Sequence, residues 1–438
     1  MQADKTTIND LSIFHIEEEQ SVFNHLNFTT TIGGKDWFRY FLSNPYSDLK
    51  KIEETQQLLK LILQNEDKWP TIISNGTVMM VQKFYDSQID DIPKDPNTVN
   101  SLFYRLTKSA DYSLIKFSVN HFIDFVIGLQ QIVQYFDNPS NPTLLQLFID
   151  RIKMLTNNTV IKKMAQWNKQ ENLSITNNLS FGHYLLYHFK AKAIELVEIF
   201  SQLDAYHSMA LASSKLNFCF PEIKVTAAPF IYGKNMFHPL VKTPVAYDVK
   251  LNQQGNFLFL TGANMAGKST FIKAIGISVY LAHVGMGVPA EKFELSLFDG
   301  LLSNIQVEDN ISRGESYFFN EVQRIKKTIT KINDGRNWLI LIDELFKGTN
   351  VQDAMKCSTT VIEGLRKMKN TLFILSTHLY EIGEGLRCYP NIKFYYFETR
   401  VEEDQLIFSY HLKEGISNDR LGYLILKREG VVNMLQNL

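Results

Sequence analysis

Gly262, Gly267, Lys268 and Ser269 stand in the spacing G-x-x-x-x-G-K-S, and the chemistry that spacing serves is the holding of phosphate. Glycines let backbone N–H groups curl around anionic oxygens, and a helix starting there adds its partial positive charge. Lys268 would then reach the β- and γ-phosphates of ATP, and the Ser269 hydroxyl would ligate Mg²⁺. Ala263, Asn264, Met265 and Ala266 inside the loop, with Thr270 after it, complete the expected nucleotide-binding set. Farther on, WLILIDE (338–344) is an apolar run ending in two acids. Asp343 suits a metal held through water, and Glu344 suits a group that polarises the attacking water. A third apolar run, TLFILST (371–377), leads to His378, placed to sense the γ-phosphate. The expected catalytic set is Glu344, Lys268 and His378.

These residues need strands to aim them. FLFL (257–260), WLILI (338–342), TLFILST (371–377), KFYYF (393–397) and QLIFSYHL (405–412) alternate with helical stretches from about residue 221 onward. That rhythm predicts a mostly parallel sheet covered on both faces. Upstream the pattern is helical, with apolar stripes predicted at 48–63, 115–137, 144–156 and 185–204. The boundary expected is 1–215 for an all-helical domain and 216–438 for an α/β domain.

Composition narrows the partners. Lys plus Arg number 45 against 46 acidic residues, so no global positive field advertises a polyanion and any nucleic-acid contact must be local. The segment 151–169 offers such a patch, with Arg151, Lys153, Lys162, Lys163 and Lys169 and no acid inside it; a solvated helix face is the plainer reading. Three cysteines lack metal spacing and suit a reducing cytoplasm. The N-terminus lacks the pattern of a signal peptide, and no apolar run is long enough to span a membrane.

Six segments carry a family resemblance: FHPLV (237–241), TGANMAGKST (261–270), RGESYFFNEVQRI (313–325), LIDELFKGTNVQD (341–353), STHLYEI (376–382) and YHLKEGISNDRLGYLIL (410–426). In type and order they resemble the MutS family of mismatch-repair ATPases. Residues 23–59 and 203–223 look like the two ends of that family's core, or lever, domain; 100–185 match only in being helical. The resemblance implies an α/β P-loop NTPase domain of ABC type, C-terminal, preceded by an all-α lever or core domain with the clamp reduced or absent. It implies a weak, DNA-modulated ATP hydrolase working as a homodimer, or as a heterodimer with a MutS relative, in the cytoplasm at the nucleoid. DNA, double-stranded or branched, would be held through its backbone.

By the same resemblance, Ser316 would touch the γ-phosphate held by the opposite subunit, and His411 would stack on the adenine. Ordinary readings stand beside these, an N-cap serine and a structural strand histidine. Departures are visible too: Ala263 and Ala266 replace a usual Pro and Gly, Phe346 stands where Gly is usual, and Pro244 lies near a position the family often gives an aromatic. The core-like segment begins so near Met1 that no mismatch-reading or connector domain is expected. The alternatives are an RNA- or ribosome-associated MutS-like ATPase, a transporter ATPase subunit disfavoured by the lack of an LSGGQ-type signature, and a dimer that binds nucleotide without hydrolysing it.

Overall fold

A computed structural model describes residues 1–167, 173–305, 317–402, 405–417 and 431–436. The chain divides into two compact units: residues 27–41 with 53–212, and residues 1–26 with 42–52 and 213–438. This differs from the boundary at 215 and 216 because N-terminal segments are built into the second unit. There Gln2 bridges Gly300 in parallel, with Gln2 N donating to Asp299 O at 2.8 Å. The Met1 ammonium donates to Pro45 O at 2.7 Å.

The described residues of the first unit form helices and no strand. The predicted stripes at 115–137 and 144–156 fall within helices Ser109–Phe136 and Thr143–Thr156. The stripe at 185–204 begins in a π-helical turn, Leu185–Phe189, and continues in the helix Lys190–Lys215. One buried acid organises part of this unit. Asp204 is fully buried and accepts hydrogen bonds from Thr31 N at 2.8 Å and Thr30 N at 3.1 Å, with the Thr31 hydroxyl at 2.6 Å. The close approach explains the GG pair in the sequence, because a Cβ on Gly34 would lie 2.1 Å from Asp204 Oδ2. Two of the five cations named at 151–169 pair with acids of the same unit. Arg151 donates to Glu195 through Nε and Nη2, Lys153 pairs with Asp137 at 2.5 Å, Lys162 donates to Asn157 Oδ1 at 2.8 Å, and Lys169 lies outside the described residues.

The second unit carries two sheets. Six strands run in the order β10-β9-β4-β8-β7-β6, where β4 is Phe257–Thr261, β6 Gly300–Asn304, β7 Trp338–Asp343, β8 Thr371–Ser376, β9 Ile392–Glu402 and β10 Gln405–Glu414. All pairings are parallel except β9 with β10. β4 and β8 are buried at every position, which is why they read as unbroken apolar runs. Burying Phe257 and Phe259 contributes about 2–3 kcal/mol each, which helps to pin the strand that leads into the glycine turn. The second sheet, of order β1-β5-β2-β3, uses β1 Glu222–Lys224, β2 Ile231–Met236, β3 Tyr247–Leu251 and β5 Lys292–Ser296. Its strands alternate buried and exposed residues, so the search for continuous apolar runs did not predict them. Among the described residues, no helix is long and apolar enough to cross a membrane.

Candidate functional site

β4 ends at Thr261, and the chain turns through 262–267 into the helix Lys268–Val284. Two positions force the turn: Gly262 at φ 140° and Gly267 at φ 106° take backbone that a side chain would strain. Gly267 is the helix N-cap, so the first-turn amides and the positive end of a 17-residue helix face the loop. Of the six loop residues, Ala263 and Ala266 are buried inward, whereas Met265 is 68% exposed.

The charged groups gather at the carboxyl ends of β4, β8 and β7. Lys268 Nζ donates to Gly262 O and Ala263 O, each at 2.8 Å, and lies 3.5 Å from His378 Nε2. Burial pushes its ammonium pKa down to about 8, against the pull of Asp343 and Glu344. Ser269 Oγ donates to one oxygen of Asp343, and Ser376 Oγ donates to the other. Glu344 lies 3.1 Å from His378 Nε2 and 2.7 Å from Lys347 Nζ. Burial, then the Lys268 charge, holds His378 below its ordinary pKa. The ring is therefore neutral near pH 7, and its Nε2–H donates to the Glu344 carboxylate.

A cavity of about 530 Å³ joins these groups. Asn264, Met265, Gly267, Lys268, Ser269, Thr270, Asp343, Glu344 and His378 all line it, so most of the predicted site residues meet in one place. His411 does not line it; it lies on a separate cavity with Tyr232 and Tyr395. Its neighbour Tyr410 takes the place beside the loop. The reason is local: β10 carries extra residues between Phe408 and Leu412, with Tyr410 at φ 54°, and such a bulge re-aims side chains. A Cβ on Gly267 would sit 3.4 Å from the Tyr410 ring. Ser316 lies outside the described residues.

Several lining residues were not assigned from sequence. His238 and Val241, inside the FHPLV segment, form one wall with Pro244 and Tyr247. His238 is buried and its pKa falls to about 4, from burial first and the Lys273 charge second. The segment itself was the available signal for His238. Nothing in the sequence marks the bulge that brings in Tyr410.

Part of this chain is similar to known proteins. Residues 258–435 match MutS domain V. Over that stretch the chain is similar to the MutS family. Similar proteins include the DNA mismatch repair protein MutS of Pseudothermotoga lettingae, 30% identical over 233 residues, and that of Petrotoga mobilis, 31% identical over 234. That of Oceanobacillus iheyensis is 27% identical over 247 residues. These alignments take in 52%, 52% and 55% of this chain but only 28% of each relative, so the chain spans about a quarter of the length of the MutS proteins it matches. The domain V match contains the glycine turn, Asp343, Glu344 and His378.

Proposed function

We propose that the chain is an ATP hydrolase with a P-loop NTPase fold, and that nucleotide controls its grip on DNA. The observation that carries this is the meeting of Lys268, Ser269, Asp343, Glu344 and His378 around one cavity at the mouth of a glycine turn. The ends of parallel strands are where ligands of open α/β sheets bind. Loop amides, the helix N-terminus and Lys268 would hold the phosphates. Ser269 Oγ and the Asp343 carboxylate already touch, and two hard oxygens at that point suit Mg²⁺, whose remaining ligands are water and phosphate. Held by Ser269 and Asp343, the metal would offset phosphate charge.

The chain's own residues then divide the work. Glu344 accepts a proton from, or orients, the water that attacks the terminal phosphorus. His378 and Lys347 fix the Glu344 carboxylate from both sides, so the base is held before reaction. Tyr410 and Pro244, with His238 on the same wall, offer flat or apolar surface for a base. This supports reading Tyr410, rather than His411, as the residue for adenine to stack on.

The family supports a dimer acting on DNA, since its named members are DNA mismatch repair proteins. The DNA contact would run through backbone phosphates. Arg151 and Lys153 already pair with Glu195 and Asp137, so a DNA phosphate would have to compete with those exposed pairs. No structural feature favours an RNA or ribosomal target. The test is the rate of MgATP hydrolysis alone and with homoduplex, mismatched and branched DNA. A weak basal rate that DNA shifts supports the reading, and a purified, folded chain with no hydrolysis under any condition overturns it.

A further inference from the structure

The helix Tyr317–Ile332 buries Phe318, Ile325 and Ile332 along one stripe against the main sheet's core. Glu321 sits on that same stripe, three residues from Phe318 and four from Ile325, and is only 2% exposed. A carboxylate in an apolar row is costly unless donors surround it. Here the donors come from the loop after β7: Lys347 N at 3.2 Å and Gly348 N at 3.4 Å. Burial pushes the Glu321 pKa above its ordinary value, while those amides and that of Phe346 pull it down.

That loop is unusual. Glu344 and Phe346, neither of them glycine, stand at φ 65° and φ 60°. Left-handed backbone costs such residues about 1–2 kcal/mol each. Phe346 is nearly buried, and its ring packs on Phe318 with centroids 5.6 Å apart. Burying a phenylalanine contributes about 2–3 kcal/mol, which offsets its own strain but leaves that of Glu344 to other contacts. The helix supplies both kinds of support: Phe318 under Phe346, and Glu321 on the amides just beyond. Lys347 then links the two ends, since its main chain donates to Glu321 and its side chain reaches Glu344 at 2.7 Å.

We infer that Glu321 is a positioning residue that holds the 344–348 loop in its left-handed path and so aims the Glu344 carboxylate. Through it, the orientation of the Tyr317–Ile332 helix is coupled to turnover rather than to nucleotide affinity. The sequence joins this helix directly to Ser316, so a change felt there reaches Glu344 by way of Glu321. The inference rests on the ATPase reading for its catalytic consequence, but its structural half stands without nucleotide.

The experiment uses the full chain with Glu321→Gln, which keeps the volume and one acceptor, and Glu321→Ala, which keeps neither. Three quantities are measured: amide hydrogen exchange at Lys347 and Gly348 without nucleotide, the dissociation constant for MgATP, and kcat. Expected is faster exchange confined to the loop, affinity within about twofold of wild type, and kcat lower by about tenfold in Ala and less in Gln. Unchanged loop exchange in both variants, or a kcat within about twofold of wild type in both, overturns the inference. If Glu321→Ala gives no cooperative melt, Glu321→Gln decides by the same readouts. Should wild type itself fail to bind or hydrolyse ATP, the ATPase reading falls, and loop exchange alone still decides whether Glu321 holds the loop.

Discussion

Two loops line the cavity, and they reach left-handed backbone mainly by different means. The glycine turn places Gly262 and Gly267 at two of its three positive-φ positions, at no steric cost, and leaves only the exposed Met265, at φ 67°, to bear strain. The acidic loop uses Glu344 and Phe346, neither of them glycine, and relies on a neighbouring helix for Phe318 and Glu321. The first is therefore set by its own residues. The second depends on what that helix does. On the proposed ATPase reading, affinity and turnover would then respond to different parts of the chain.

Breaking the catalytic side should have the largest effect. Glu344→Gln is expected to lower kcat by about a hundredfold or more while leaving MgATP affinity near wild type, as single-turnover hydrolysis and equilibrium titration would reveal. On the binding side, Gly267→Val puts a branched side chain at φ 106° and 3.4 Å from Tyr410. Its strain should weaken MgATP binding by at least about tenfold, with loss of thermal stability on the order of 2 kcal/mol. Equal effects of these two variants on affinity would erase the proposed division of labour.

A smaller effect concerns histidines beside the phosphate-loop helix. His283, on that helix, donates from Nδ1 to Tyr46 O at 2.9 Å and accepts from Phe298 N at 3.2 Å, a neutral tautomer sealed by burial. Its pKa falls to about 4, as does that of His238. Because each folded pKa lies below the unfolded value near 6.5, the unfolded chain binds more protons between pH 6.5 and 4. Stability is thus complete above that window and is lost as pH falls through it, by about 2 kcal/mol per histidine between pH 7 and 5. Denaturant melts at the two pH values check this, and His283→Gln should flatten the slope by one histidine's share.

The smallest effect separates two substitutions at one residue. Phe346→Ala and Phe346→Gly both remove the ring, but only Gly accepts φ 60° freely. Gly should therefore be the more stable by about 1 kcal/mol, the reverse of the usual order, in paired thermal melts.

Legibility in the sequence followed the same division. Gly262, Gly267, Lys268 and Ser269 are close together along the chain, and β4, β7 and β8 are buried on both faces, so loop and strands could both be read from local pattern. The position of Tyr410 in place of His411 depends on a bulge in β10, a matter of register that composition does not encode. Phe346 looked like a departure that unsettled the loop; its buried ring offsets the strain where a glycine would have avoided it. Glu321 acts through residues about 26 positions away, and only the tertiary fold brings them together. The alternating strands of the second sheet escaped a search for continuous runs, and the N-terminal strip that completes the second unit carries no local sign of where it docks.

The central claim is that the turn at 262–269 binds the phosphates of a nucleotide. Calorimetric titration of the purified full chain with ATP, in the presence and absence of Mg²⁺, tests it most directly, with Lys268→Ala as the paired variant. One nucleotide per chain, tighter with Mg²⁺ and lost in Lys268→Ala, is the result predicted. No heat of binding from a folded wild-type chain, or binding that Lys268→Ala leaves intact, would contradict it.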